Sequence, residues 1–217
     1  MDIPHEVSGT IPDPSVRRLS AYLRHLENLA ASGAKRVSSK QLAAYIKGGD
    51  AQVRRDLALF GQFGRRGVGY DVDDLIQVIR TILGTRRQWN VVVVGAGQLA
   101  QALLRYRGFA DRGFTLVGAF DTDPRRIGTQ CGPVTIRHID AMKPIIQKHE
   151  VRLAILTVPA QVAQQTADKL VEAGIEGIMN FASASLDVPP HVHVNQVDLT
   201  AHLEQLTFQI GSTQPGT

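Results

Sequence analysis

Residues Trp89 to Ala100 read Trp-Asn-Val-Val-Val-Val-Gly-Ala-Gly-Gln-Leu-Ala, and this stretch limits the fold more than any other. Four consecutive valines predict a strand buried on both faces, as in a parallel sheet covered by helices. The run breaks into Gly95-x-Gly97-x-x-Ala100, and Gln-Ala-Leu-Leu-Arg-Tyr then suits a helix. Strand, glycine turn and helix in that order open a dinucleotide-binding fold. Gly95 permits the tight turn, and Gly97 has no Cβ to hold a pyrophosphate away. Ala100 is small enough for the helix to pack on the strand. With Ala96 in the turn, Gln98 and Leu99 at the helix start place free backbone N–H groups toward phosphate.

A second strand, Thr115–Phe120, ends in Asp121, 21 residues after Ala100. An acid at about that spacing hydrogen-bonds a ribose hydroxyl and disfavours a 2′-phosphate. Asp123 joins it as a candidate. Arg125 and Arg126 pull the other way, since either can meet a phosphate. The competing reading is a tight turn with no ligand.

Further on, short apolar runs alternate with helical segments. Arg152–Thr157, Gly177–Asn180 and His191–Val194 read as strands, and Gln161–Ala173 as a helix. Alternating βα predicts a parallel sheet with ligands at the carboxyl ends of its strands. This adds Thr157, Val158, Pro159, Asn180 and Phe181 to the candidate cofactor site. Asn180 can bond a carboxamide and Phe181 can lie near a nicotinamide ring; plain strand-end packing is the alternative for both.

A dehydrogenase needs an acid or base near the nicotinamide. Neither Thr157-Val-Pro-Ala160 nor Asn180-Phe-Ala-Ser183-Ala-Ser185 offers one beyond hydroxyls, so no catalytic residue is assigned. The dinucleotide is expected to be sensed rather than turned over. His191 and His193 lack a cysteine partner, so no metal is expected. Cys131 lacks a resolving cysteine and reads as an inert loop residue.

Charge is uneven along the chain. Residues 1–89 carry a net +5 and residues 90–217 a net −1, and Arg17–Arg66 alone carries +8. Basic excess favours a polyanionic partner. In this stretch, Asp13 and Pro14 start a helix with Val16, Leu19, Leu23, Leu26 and Ala30 on one stripe. Ser38-x-x-Gln41 is a capping box opening a helix over Ser39–Lys47. After Gly48-Gly49, Asp50 is expected to cap a helix over Ala51–Phe60. Two short helices joined by a glycine turn read as a helix-turn-helix. Gly61-Gln-Phe-Gly-Arg-Arg-Gly-Val-Gly-Tyr70 reads as a wing.

A helix fits the major groove, where Gln52 and Arg55 can reach base edges. Arg65 and Arg66 on a thin tip suit the minor groove. Ser38, Lys40, Lys47 and Arg54 complete the candidate DNA surface as positioning contacts. A helical bundle for protein contact is the alternative. A helix over Val72–Leu83 and a linker, Thr85–Gln88, close the module.

No run of 18 apolar residues occurs, the start shows no leader pattern, and one cysteine excludes an internal disulfide, so a cytoplasmic protein without a membrane span is expected. The last helix, Asp198–Ile210, puts Leu199, Leu203, Leu206 and Ile210 on one stripe. It docks on its own sheet or on a second copy. Domain boundaries are drawn at 1–85 (winged helix), 86–197 (Rossmann-type) and 198–217 (last helix and tail, for dimerisation if it docks on a second copy).

Taken in order, Tyr22-Leu-Arg24, Ser38-Ser-x-Gln-Leu42, Gln52-Val-Arg-Arg-Asp-Leu57, Phe63-Gly-Arg-Arg-Gly-Val-Gly-Tyr70, the Gly95 loop, Phe120-Asp-Thr-Asp-Pro124, Leu156-Thr-Val-Pro159, Gly177-Ile-Met-Asn-Phe-Ala182 and Asn195-Gln-Val-Asp198 resemble the Rex family of redox-sensing transcriptional repressors. The resemblance covers about residues 14–210.

It implies a winged-helix domain followed by a Rossmann domain, a homodimer with the last helix swapped into the partner, and a palindromic operator. It implies that DNA is held in the free or NAD⁺ form and released with NADH. It also implies an inter-subunit contact of Arg24 with Tyr106 and Asp198, with Tyr106 near the cofactor. The chain departs from the family pattern at Gln98, where relatives often have Arg or Lys, and at Leu199, where they often have Phe. The rival reading is an NAD-dependent oxidoreductase with a helical N-terminal arm.

Overall fold

The computed structural model describes residues 13–46, 48–61, 63–64 and 68–212. The chain divides into two compact units between Arg87 and Gln88.

In the first unit, helix α1 (Asp13–Ala31) buries Leu19, Leu23 and Leu26 as the periodicity predicts. Val16 and Ala30 are only half-buried, whereas Tyr22, outside the stripe, is fully buried. Strand β1 (Arg36–Val37) leads into α2 (Ser39–Tyr45). The capping box forms: Gln41 N–H donates to Ser38 Oγ at 3.2 Å, and Ser38 N–H donates to Gln41 Oε1 at 2.8 Å. Helix α3 (Asp50–Ala58) departs from expectation, because Gly49 is its cap and Asp50 lies in the first turn. There the Asp50 carboxylate favours the helix dipole and pairs with Arg54 at 2.7 Å, one turn on.

Helix α4 (Val72–Ile82) follows β2 (Tyr70–Asp71) directly. Its cap is Asp71, which accepts from the N–H groups of Asp73 and Asp74. Strand β2 pairs antiparallel with β1, Val37 facing Tyr70 and Arg36 facing Asp71. Tyr70, where the expected wing ends, is thus paired to the strand that precedes the helix-turn-helix. Gly69 has φ 81°, and a Cβ there would lie 2.5 Å from the Val37 carbonyl oxygen, so only glycine closes this ribbon. Arg80 of α4 bonds Glu27 of α1 at 3.0 Å, and both helices bury apolar faces in one core.

The second unit is a seven-stranded sheet in the order β5-β6-β4-β3-β7-β8-β9. Its strands are β3 (Trp89–Val94), β4 (Phe114–Asp121), β5 (Gln130–Cys131), β6 (Val134–His138), β7 (Leu153–Leu156), β8 (Gly177–Asn180) and β9 (His193–Gln196). All neighbours are parallel except β5, which pairs antiparallel with β6. Helix α5 (Gln98–Leu104) follows β3, α6 (Met142–Lys148) follows β6, and α7 (Ala160–Glu172) joins β7 to β8.

The valine run explains the centre. Val91 and Val93 pack with Ala100 and Leu104 of α5 on one face. Val92 and Val94 pack with Ile146 of α6 and Leu170 of α7 on the other. Full burial of a valine stabilises by roughly 1.5–3 kcal/mol, so burial on both faces holds this strand at the centre of the sheet. At the foot of β3, the Arg152 guanidinium lies 5.7 Å from the Trp89 ring centroid.

The chain runs from β3 outward through β4 to β6, then returns to place β7 on the other side of β3. This reversal opens a crevice at the carboxyl end of β3, where ligands of such sheets bind. Helix α8 (Leu199–Ser212) ends the described chain. Leu199, Leu203, Leu206, Phe208 and Ile210 on it are all exposed, so it does not bury its stripe on its own sheet.

Candidate functional site

The glycine turn stands at the crevice. Gly95 has φ 90°, and a Cβ there would lie 2.7 Å from the Thr157 carbonyl oxygen. Its N–H donates to the Phe120 carbonyl at 2.8 Å, and Thr157 N–H donates to the Val94 carbonyl at 2.9 Å. The Thr157 hydroxyl lies within hydrogen-bond distance of the Val94 and Gly95 carbonyl oxygens, at 3.1 and 3.0 Å. This turn is therefore stitched to the ends of β4 and β7.

Gly97 differs from Gly95. It caps α5 with an ordinary φ of −67° and no side-chain bond, and a Cβ on it would meet nothing within 4 Å. Geometry within the chain does not require glycine at this position. Open space at Gly97 and the uncapped start of α5 fit an anionic group lying against the backbone, as a pyrophosphate would. Ala96 and Ala100 are fully buried, while Gln98 and Leu99 are exposed beside the turn.

Asp121 lies where the spacing puts it, but its carboxylate is filled from within the chain. Oδ2 accepts from Ala96 N–H at 2.6 Å and from Arg126 at 3.0 Å. Oδ1 accepts from the N–H groups of Thr122 and Asp123 at 2.7 and 2.9 Å. Burial alone would raise this carboxyl; the bonds from Asp123, Ala96 and Arg126 outweigh it and hold it below the ordinary value. A carboxylate has about four lone-pair sites, and all four are used. Asp121 thus shapes the turn, and the outer acid at this strand end is Asp123. The Arg125 side chain holds the Asp123 carboxyl down to about 2. Arg125 and Arg126 both lean on these acids.

Asn180 is fully buried and committed: its amide donates to Ala184 carbonyl at 2.8 Å and Gln196 Oε1 at 2.7 Å, and it accepts from Ala182 N–H at 2.9 Å. For this residue the packing alternative is what the structure supports. Phe181 is half-buried against the core on the α5 face. Val158 packs on the opposite core, and Pro159 caps α7. Among the described residues, no strand end at the crevice carries a free proton-transfer group and no cluster fits a metal ion.

Tyr106 is exposed and packs edge-on against Phe109, with centroids 5.3 Å apart. It lines a cavity of about 430 Å³ with Phe109, Phe114 and Pro133. Asp198 caps α8 by accepting from the N–H groups of Thr200 and Ala201. Arg24 is exposed on α1, in the other unit.

On the first unit, Ser38 spends its hydroxyl on the capping box, and Lys40 is exposed at the start of α2. Arg54 is exposed and held by Asp50 and Ser39. Gln52 is half-buried: its Nε2 donates to Asp56 at 2.9 Å, while its Oε1 accepts from Arg55 at 2.9 Å. Lys47, Arg65 and Arg66 lie outside the described residues.

Sequence reading missed Asp56. It is only 1% exposed, and it accepts from Arg18 through both oxygens at 2.6 and 2.7 Å, from Tyr22 at 2.8 Å and from Ser15 at 3.2 Å. Burial alone would raise its carboxyl; the bonds from Arg18, Tyr22 and Gln52 outweigh it and bring the value below the ordinary one. The available signal was an acid one turn after Gln52 on α3, with Arg18 and Tyr22 one turn apart on α1.

A winged-helix unit followed by a Rossmann-type unit without catalytic groups at its crevice defines a class, the nucleotide-responsive DNA-binding regulators. Residues 86–184 match the family described as "CoA binding domain", and residues 10–58 match "Putative DNA-binding protein N-terminus". The chain is 48% identical to a redox-sensing transcriptional repressor Rex of Carboxydothermus hydrogenoformans, over 92% of this chain and 96% of that one. It is 43% identical to the Rex of Chloroflexus aurantiacus, over 96% and 99%. Among solved structures, it is similar to RSP, a Rex-family repressor, in complex with beta-NAD⁺ and operator DNA. That match has a TM-score of 0.88 and 35% identity, covering 94% of each chain. The chain belongs to the Rex family of redox-sensing transcriptional repressors, regulators rather than enzymes.

Proposed function

We propose that this chain is a homodimeric repressor that holds a palindromic operator in its free or NAD⁺ form and releases it on binding NADH. The single observation that carries the reading is the RSP relative, whose solved structures include one with beta-NAD⁺ and operator DNA and one with beta-NADH. We assign residues 1–85 to DNA reading, 86–197 to dinucleotide binding and 198–217 to dimerisation.

In this reading Lys40, Lys47 and Arg54 hold phosphates, and Arg65 and Arg66 enter the minor groove. The N–H groups from Gly97 to Leu99 take the pyrophosphate, and the acidic end of β4, at Asp121 and Asp123, faces the ribose. The exposed stripe of α8 supports a second copy as its cover. Arg24 meets Tyr106 and Asp198 across that dimer. When bound, the dinucleotide supplies only its redox state, and no group at the crevice turns it over.

Discrimination has to arise at the nicotinamide end, since the adenine half is common to both forms. An apolar surround there buries the neutral reduced ring more readily than the cationic one. DNA and NADH must then weaken each other by the same factor. Fluorescence anisotropy on a palindromic duplex pool, without ligand and with NAD⁺ or NADH, tests this reading. Binding that persists in NAD⁺ and collapses in NADH is expected. Equal response to both forms refutes sensing, and turnover of a hydroxy acid or aldehyde without DNA binding would favour the oxidoreductase.

A further inference from the structure

We propose that Asp56 is the positioning residue of the DNA-reading helix α3, and that through it Gln52 serves as a buttress for Arg55 rather than as a base reader. This rests on the DNA-binding reading above.

The argument starts from the polarity of one amide. Gln52 has a donor end and an acceptor end. Its Nε2 faces the Asp56 carboxylate at 2.9 Å, and its Oε1 faces the Arg55 Nη2 at 2.9 Å. Reversing the amide would set an oxygen against a carboxylate and an N–H₂ against a guanidinium. Both contacts would be repulsive, so the charges on either side permit one orientation only. A glutamine that reads adenine must offer donor and acceptor side by side to N7 and N6. Here both ends are already engaged along the helix. Base reading at this turn passes to Arg55, which keeps most of its five N–H groups and prefers the O6/N7 edge of guanine.

Asp56 sets this order because it cannot turn. Arg18 clamps both its oxygens, Tyr22 and Ser15 add further bonds, and the side chain is nearly inaccessible. The chain of contacts runs from α1 through Arg18, Asp56 and Gln52 to Arg55. Removing the negative charge at Asp56 frees the amide to reverse, which ejects the Arg55 tip from its place.

The test uses the full-length protein and a palindromic duplex that it selects from a randomised pool. Each base pair of that duplex is then changed singly. Affinities are measured for the wild type, Asp56→Asn, Gln52→Met and the double variant. The wild type is expected to lose on the order of 10- to 100-fold at one guanine per half-site. Asp56→Asn and Gln52→Met should each flatten that step, with the double variant no flatter than either. The salt dependence should stay unchanged, because phosphate contacts are untouched.

A purely structural Asp56 would instead weaken binding to every duplex equally, with the base profile intact; that result overturns the proposal. So does an additive double variant, or an unaltered profile in Gln52→Met, which decides the matter if Asp56→Asn does not fold. If the wild type selects no duplex, the DNA-binding reading itself has failed.

Discussion

The backbone N–H of Ala96 donates to the Asp121 carboxylate at 2.6 Å, tying the glycine turn to the end of the neighbouring strand. The acid that sequence spacing offers to a ribose is thus the strut that shapes the phosphate turn. Asp121→Asn should turn an amide N–H₂ toward backbone donors. Loss of buried hydrogen bonds of this kind costs about 1–3 kcal/mol. A lower melting temperature and weaker NADH binding are expected together, read by thermal melting and fluorescence titration. An unchanged melt with weakened binding would return Asp121 to a direct ligand role.

The two glycines of the turn should separate stability from binding. Gly95→Ala forces a side chain into left-handed backbone, at roughly 1–2 kcal/mol, and against the Thr157 carbonyl. It should lower the melting temperature by several degrees. Gly97→Ala meets open space and ordinary φ, so its melt should match the wild type. Its Cβ should nevertheless obstruct the pyrophosphate and abolish NADH binding. Normal binding by Gly97→Ala would disprove the site assigned here.

The acid limb of stability should reside partly in the first unit. The Asp56 carboxyl is lowered on folding, so its contribution is complete above the ordinary carboxylate value of roughly 4. That contribution is lost as pH falls through the lower folded value. Chemical denaturation between pH 2.5 and pH 6, followed by circular dichroism, should show the wild type losing stability below pH ~4. In Asp56→Asn that loss should be smaller.

Helix α8 should decide the oligomeric state. Leu203 is 63% exposed and Leu206 52% exposed within one chain, so a partner must cover them if the protein is a dimer. Leu203→Glu with Leu206→Glu should give a monomer by light scattering, with the sheet intact by circular dichroism. A persistent dimer would place the interface elsewhere.

Regular physics made most of the fold legible. The valine run and the capping box at Ser38 specify local structure through burial and backbone bonding, and both form as read; the βα alternation holds after β3, β6 and β7, but no helix separates β4 from β5 or β8 from β9, and the last strand is His193–Gln196 rather than His191–Val194. The wing's pairing partner was hidden, because two-residue strands such as Arg36–Val37 carry no periodicity. Asp50 misled because an acid before a helix suits both the cap and the first turn. At the site, the separate roles read for Gly95 and Gly97 match the geometry, which demands glycine only at Gly95. Asn180 and Asp121 read as polar groups at strand ends, and sequence does not show the bonds that the chain itself makes to both. Asp56 escaped for the opposite reason, since its partners on α1 lie 34 to 41 residues away.

Trp89 stands at the foot of β3 under Arg152, and it is the only tryptophan among 217 residues. Six steps along the strand, of about 3.3 Å each, lead from it to Gly95 of the glycine turn, a span of ~20 Å. Indole emission overlaps the absorption band that a nicotinamide ring gains only on reduction. A reduced dinucleotide bound in the crevice would therefore dim this emission by energy transfer, and an oxidised one would leave it bright.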